Sequence, residues 1–226
     1  MKPWIVCLMA GMAVLQKPAA QNCESYYYLQ NNKTVEMTIY NKKGDQKGRQ
    51  VYNISDVKNA GGATTATVKS EFFDKKGKSV TSAINNIKCV GGILMMDMKM
   101  FISPEQSQQM KAEAQAADVY LSYPANMKVG DALPDGNFDM DIKQDNGMKT
   151  AVSVKITDRK VEGQESVTTP AGTWNCFKIS YKSNIKVAVM GIGFPVKGDV
   201  TEWFAPGFGT VKTQSKWGTT EITSVK

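Results

Sequence analysis

The stretch DGNFDMDIKQDNG, Asp135 to Gly147, sets Asp135, Asn137, Asp139 and Asp141 at the alternate spacing with which a calcium-binding loop begins. The match then fails. The sixth position is Met140 where a glycine must make the sharp turn, and the twelfth is Asn146 where a bidentate glutamate belongs. Strand alternation accounts for Asp139 and Asp141 more simply, as the solvent face of FDMDIK. A glycoside hydrolase needs two carboxyls held a fixed distance apart across a cleft, and no spacing here selects two of the 21 acids. The chain has no histidine, so a serine or cysteine triad of the usual kind cannot be assembled. A Ser-Lys pair lacks the GxSxG elbow. GIGFPVKG (191–198) has glycines, but neither the strand-to-helix setting nor the Gly-Lys-Ser/Thr ending of a phosphate loop. These residues predict no catalytic set and no cofactor.

Sulfur is the other reactive element. Cys23, Cys89 and Cys176 lie beyond the first twenty residues, with no CxxC spacing and no histidine to complete a metal site. In an oxidising compartment two of them pair, and three pairings are open. The favoured one is Cys23–Cys89, which ties the N-terminus to the strand pair after it and contributes about 4 kcal/mol by loop closure. Methionine is abundant: Leu94, Met96, Met98 and Met100 alternate along ILMMDMKMF and share one face. Thioethers bind copper(I) and line adaptable apolar sites, whereas their commonest use is to fill a core.

The elements that position these groups are strands. TVEMTIY puts Val35, Met37 and Ile39 on one face, and FDMDIK and AVSVKIT repeat the pattern. Lys-Lys-Gly turns at 42–44 and 75–77 and the Gly91-Gly92 pair separate successive runs, which makes a β-meander. One interruption is helical. Ser103-Pro104-Glu105 supplies an N-cap, a first-turn proline and an early acid, and polar helix formers continue to about Ala117. In EWFAPGFGTVK (202–212), Pro206-Gly207 fits a turn between two strands, and Gly209 fits a bulge or a close backbone approach. Trp203 and one of Phe204 or Phe208 are expected to plug a barrel end.

The N-terminus reads as an export leader over residues 1–20. Lys2 is its positive start, Trp4 to Leu15 its apolar stretch, and cleavage falls before Gln21. That stretch is too short to span a bilayer as a helix. Lipidation at Cys23 is disfavoured by the bulky Asn22 before it. Losing Lys2 and Lys17 with the leader takes the formal charge from +7 to +5. Most of the cations are lysines, gathered at turns such as NKKGDQKG (41–48) and DKKGK (74–78), and Arg49 and Arg159 are the two arginines. Nucleic-acid faces cluster arginine and lysine with stacking aromatics, so such a partner is not expected. Scattered turn lysines suit solvation, edge protection and weak attraction to anionic surfaces.

CESYYYLQNNKTVEMTIYNKKGDQKG, EFFDKKGK, KCVGGILMMDM, TTPAGTWNCFKISYK (168–182) and EWFAPGFGTVK together resemble exported Bacteroidota proteins of the domain-of-unknown-function 3108-like (TapB-like) family. The resemblance covers essentially all of the chain after the leader. It implies one strongly curved antiparallel β-domain of half-barrel type in the periplasm or at the cell surface. It carries no catalytic residues across. Lys33-Thr34-Val35 stands where members often have glycine and then tryptophan, and GIGFPVKG is an addition before the last motif.

The expected protein is therefore all-β: a leader over 1–20, then one domain over 21–226. That domain is a single curved antiparallel sheet, a half-barrel meander with a short surface helix over 103–117. The expected role is non-enzymatic binding of a lipid, another apolar molecule or an envelope partner on the concave face. Leu94, Met96, Met98, Met100, Trp203, Phe204 and Phe208 are the candidate lining. The alternative is an assembly module acting through strand edges and the helix. A monomer that does not span the membrane is expected in either case.

Overall fold

The structure, a computed structural model, describes residues 23–101, 119–143 and 149–226. The expected leader and the expected helix over 103–117 lie outside the described residues. Twelve strands follow one another: β1 (Lys33–Asn41), β2 (Gln46–Ala60), β3 (Ala63–Asp74), β4 (Ser79–Val90), β5 (Ile93–Asp97), β6 (Tyr120–Tyr123), β7 (Gly136–Lys143), β8 (Lys149–Thr169), β9 (Gly172–Val189), β10 (Pro195–Ala205), β11 (Gly209–Ser215) and β12 (Gly218–Val225). They form one antiparallel sheet in the order β6-β5-β4-β3-β2-β1-β12-β11-β10-β9-β8-β7. Strands adjacent in sequence pair throughout, except β6 and β7. The first and last strands meet in the middle, where Thr34 and Lys226 exchange two backbone hydrogen bonds of 2.9 Å.

Period-two alternation is what fills the interior. Ala66 and Val68 of β3, Val152, Val154 and Ile156 of β8, and Ile179 of β9 are all buried on the concave side. Bulges between Glu36 and Met37, Ser55 and Lys58, and Thr157 and Lys160 bend the sheet. The curvature brings the two edges together. A Cβ added at Gly136 of β7 would lie 2.7 Å from Met98 Sδ and 2.8 Å from Leu121 Cδ1 of β6, so this glycine is what lets the edges approach. The strongly curved antiparallel meander expected from the sequence is thus present, and its curvature makes it a nearly closed barrel.

One end is sealed by the N-terminal segment. Tyr27 donates its backbone N–H to Gly207 (3.0 Å) and its hydroxyl to Lys226 (2.6 Å). Cys23 and Cys89 are joined by a disulfide that closes 66 residues. The Cys23 sulfur is therefore engaged within the fold.

The alternation read along ILMMDMKMF stops at Asp97. The Asp97 carboxylate accepts the backbone N–H of Lys99 at 3.0 Å, which turns the chain into a 3-10 turn over Met98–Phe101. Met98 and Met100 consequently leave the strand that holds Leu94 and Met96.

Candidate functional site

Across the seam lies a polar cluster buried inside the barrel. Strand β8 bulges after Thr157, with Asp158 at φ 56°, and the bulge directs the Arg159 side chain inward. Arg159 is 1% exposed. Its Nη1 donates to the Ser122 carbonyl of β6 (2.9 Å) and to the Pro134 carbonyl (2.7 Å). Its guanidinium lies 4.7 Å from the centre of the Tyr123 ring, which stacks on Phe204 at 4.5 Å. The Tyr123 hydroxyl donates to Glu202 Oε1 at 2.9 Å, and the Thr210 hydroxyl donates to the same oxygen. Tyr181 of β9 is buried within electrostatic reach of both charges.

Burial pushes the Glu202 carboxyl above its ordinary value, against the opposing pull of Arg159 and the two hydroxyls. Tyr123 and Tyr181 are pushed well up, first by burial and then by the Glu202 charge. These phenols therefore stay neutral. Among the described residues Nε and Nη2 of Arg159 have no hydrogen-bond partner. The cluster is a seam closure: one cation caps an edge-strand carbonyl that no neighbouring strand reaches. It also blunts the strand edge through which an assembly module would work.

The residues expected to line a groove do not converge on one. Leu94, Met96, Met98 and Phe204 are core side chains, all at 6% exposure or less. Met100 is half-buried beside that core. Phe208 joins the plug at the sealed end, stacking on Tyr27 at 5.1 Å and packing against Trp174 at 4.5 Å. Trp203 is a correction to the expected plug. The parity of β10 puts it on the outer face, opposite Lys178 and Lys212, whose ammonium groups lie 5.9 and 5.8 Å from its ring. Its indole N–H donates to Glu165. Cys176, which pairs in register with Glu165, is a buried free thiol pushed up to about 12, chiefly by burial and then by the Glu165 charge.

The EWFAPGFGTVK stretch is a strand, a turn and a strand. Phe208 donates its N–H to the Ala205 carbonyl at 3.0 Å with Gly207 at φ 77°, a type II pattern. At Gly209 an added Cβ would sit 3.3 Å from the Tyr28 ring, so the glycine serves close approach of the plug.

The two ends of the barrel differ in chemistry. Because strands alternate in direction, the turns after β2, β4, β8 and β10 share one end, and their residues Gly61-Gly62, Gly91-Gly92, Pro170-Ala171 and Pro206-Gly207 are uncharged. The turns after β1, β3, β9 and β11 share the other. There the exposed lysines Lys42, Lys43, Lys75, Lys76 and Lys216 share the end of the barrel with an apolar hairpin tip. At that tip Met190 is 71%, Ile192 77% and Phe194 87% exposed, with Val196 and Trp217 nearly half-exposed beside it. Composition alone could not reveal this asymmetry, which follows from the direction of each strand.

Among the described residues no three His, Cys, Asp or Glu side chains gather to hold a metal ion, and no helix is long and apolar enough to cross a membrane. The family model described as DUF3108-like matches residues 30–224, and the chain belongs to that family. No curated protein matches it. A solved structure of a candidate lipoprotein from Parabacteroides distasonis is 20% identical, with a TM-score of 0.72, covering 88% of this chain and 98% of its own. A candidate exported protein with a YmcC-like fold, from Bacteroides fragilis, is 22% identical with a TM-score of 0.70, covering 87% and 96%. Both share the fold.

Proposed function

We propose that this member of the DUF3108-like family is an exported, non-enzymatic envelope protein, processed before Gln21 and folded as one domain. We place its partner on the lysine-bearing end of the barrel rather than in the concave interior. The exposed tip of the β9–β10 hairpin carries the reading: Met190, Ile192 and Phe194 are each more than two-thirds exposed and stand together, whereas Ile84 and Val129, the next most exposed large apolar side chains among the described residues, lie in separate segments. An exposed apolar cluster of this kind marks an interaction site more often than a lone exposed residue does. The absence of histidine, and so of a serine or cysteine triad of the usual kind, supports a binding role over catalysis.

The test is retention in the envelope. Ile192→Asp/Phe194→Asp is expected to fold with an unchanged near-ultraviolet spectrum. It should move from the envelope-bound to the freely released fraction after osmotic shock. Equal retention of the variant and the parent chain sinks the reading.

The buried methionines Met37, Met96, Met98, Met127 and Met140 favour a second reading, an apolar ligand taken up within the barrel. Such a ligand must displace core side chains. Native mass spectrometry of the same preparation would find it as a stoichiometric lipid-sized adduct.

A further inference from the structure

Resting on the docking reading above, we infer that the partner of the β9–β10 tip is the interfacial zone of an anionic lipid bilayer. Three observations carry this. The first is projection. Val200 of β10 pairs with Ser215, the last residue of β11, while β10 continues to Pro195. Five further residues at about 3.3 Å each carry the hairpin roughly 16 Å beyond the last rung of β11. On its other side β8 accompanies β9 as far as Thr150, opposite Val189, so residues 190–194 form the crest of a raised rim, which suits shallow insertion among headgroups.

The second is the sorting of side chains. Met190, Ile192 and Phe194 crown the hairpin, and Trp217 of the next turn lies against its stem. A Cβ at Gly198 would meet the Trp217 ring at 2.6 Å, so glycine is what lets the indole lie flat there. An indole set back from an apolar tip is the order in which such residues occur from the acyl boundary toward water.

The third is charge. Lys42, Lys43, Lys47, Lys75, Lys76, Lys78, Lys186, Lys197 and Lys216 are all exposed toward this end of the barrel, those of the β1–β2 and β3–β4 turns lying four and six strand positions round the rim from the tip. Among the described residues none of these nine forms an ion pair. Asp74, the acid of the second turn, is occupied by the backbone N–H groups of Lys76 and Lys78 (2.8 and 2.9 Å). Asp139 and Asp141 lie on β7, two strands from Lys186, and Asp199 lies two residues farther from the tip than Lys197. The cations are all lysine. Protein interfaces enrich arginine and deplete lysine, whereas attraction to an anionic leaflet needs only charge. Both arginines are committed elsewhere, Arg49 to Glu36 at 3.1 Å and Arg159 to the seam.

The experiment is flotation of the full exported chain, disulfide intact, with vesicles of phosphatidylcholine and of phosphatidylcholine plus phosphatidylglycerol. Binding is expected to the mixed vesicles, weakening as salt rises. Ile192→Asp/Phe194→Asp should lower it at least about tenfold. Lys42→Gln/Lys43→Gln/Lys75→Gln/Lys76→Gln should erase the preference for phosphatidylglycerol. In Phe194→Trp, acyl-chain bromination of the lipid should quench the new indole. No binding, equal binding to both vesicles, or an unaffected tip variant overturns the inference. If vesicles fail but envelope retention in cells still depends on Ile192 and Phe194, the docking reading stands with a protein receptor in place of lipid. If retention is also independent of the tip, both fall.

Discussion

Replacing Arg159 with methionine tests the seam directly, because one side chain there does three things. It caps the Ser122 and Pro134 carbonyls at 2.9 and 2.7 Å, covers the Tyr123 ring, and balances the buried Glu202 charge. Hydrogen bonds to a charged group are worth about 1.5–3 kcal/mol each, and removing one partner of a buried charge pair costs about 3–5 kcal/mol. These contributions overlap, so the expected loss is about 4 kcal/mol, a large part of the roughly 5–15 kcal/mol that holds a domain together.

The loss must depend on pH. Burial raises the folded-state value of Glu202 above 4.5. The stability linked to a raised carboxyl is present below its unfolded value and lost as pH rises through its folded value. Without Arg159 the folded value climbs further and the window of loss widens. Urea unfolding followed by near-ultraviolet circular dichroism should therefore show a larger gap between parent and Arg159→Met at about pH 7.5 than at about pH 4.5. Adding Glu202→Gln should recover about 1–3 kcal/mol through the coupling of neighbours. A loss below about 1 kcal/mol at neutral pH, or a gap equal at both pH values, would refute the reasoning.

Two further outcomes follow from the sulfur atoms. Cys23→Ser/Cys89→Ser opens a 66-residue closure. It should cost about 4 kcal/mol and about 8–16 °C in Tm, checked by calorimetry; a shift under about 2 °C contradicts it. Cys176, buried and held up to about 12, should ignore an aromatic disulfide reagent in the folded protein and react once urea is added; prompt reaction of the native chain counts against its burial.

The meander was legible because the alternation in TVEMTIY, FDMDIK and AVSVKIT is local, as are the glycine turns between runs. The strong curvature agrees with the family resemblance, and the type II turn at Pro206-Gly207 follows from two residues alone. Arg159 was not legible. Its role depends on a bulge that turns it inward and on strand edges brought together by all twelve strands, and neither leaves a local trace. Trp203 shows how narrow the margin is. In a strand one residue decides the face, and EWF offers two adjacent aromatics without saying which points inward. Met98 was misread for a local reason: the Asp97 side chain competes for a backbone N–H that an extended strand would leave free, and hydrophobic spacing does not register that competition.

The same geometry favours the proposed docking at an end of this barrel. A sheet that closes on a packed core has little interior left to offer, and its seam is fastened by a charge that cannot move without exposing two carbonyls. The outer face carries polar residues that solvate it, with Trp203 covered by lysine stems. Only the turns remain free to differ from what the fold requires. At the sealed end the four hairpin turns are glycine, proline and alanine, held by the disulfide and the aromatic plug. At the other they carry lysines and an apolar tip that solubility alone would remove. An exposed Phe194 beside Ile192 and Met190 invites aggregation, and the like charges at the same end oppose it. An arrangement that keeps an apolar tip in water while repelling copies of itself suits a tip meant for a surface of opposite charge.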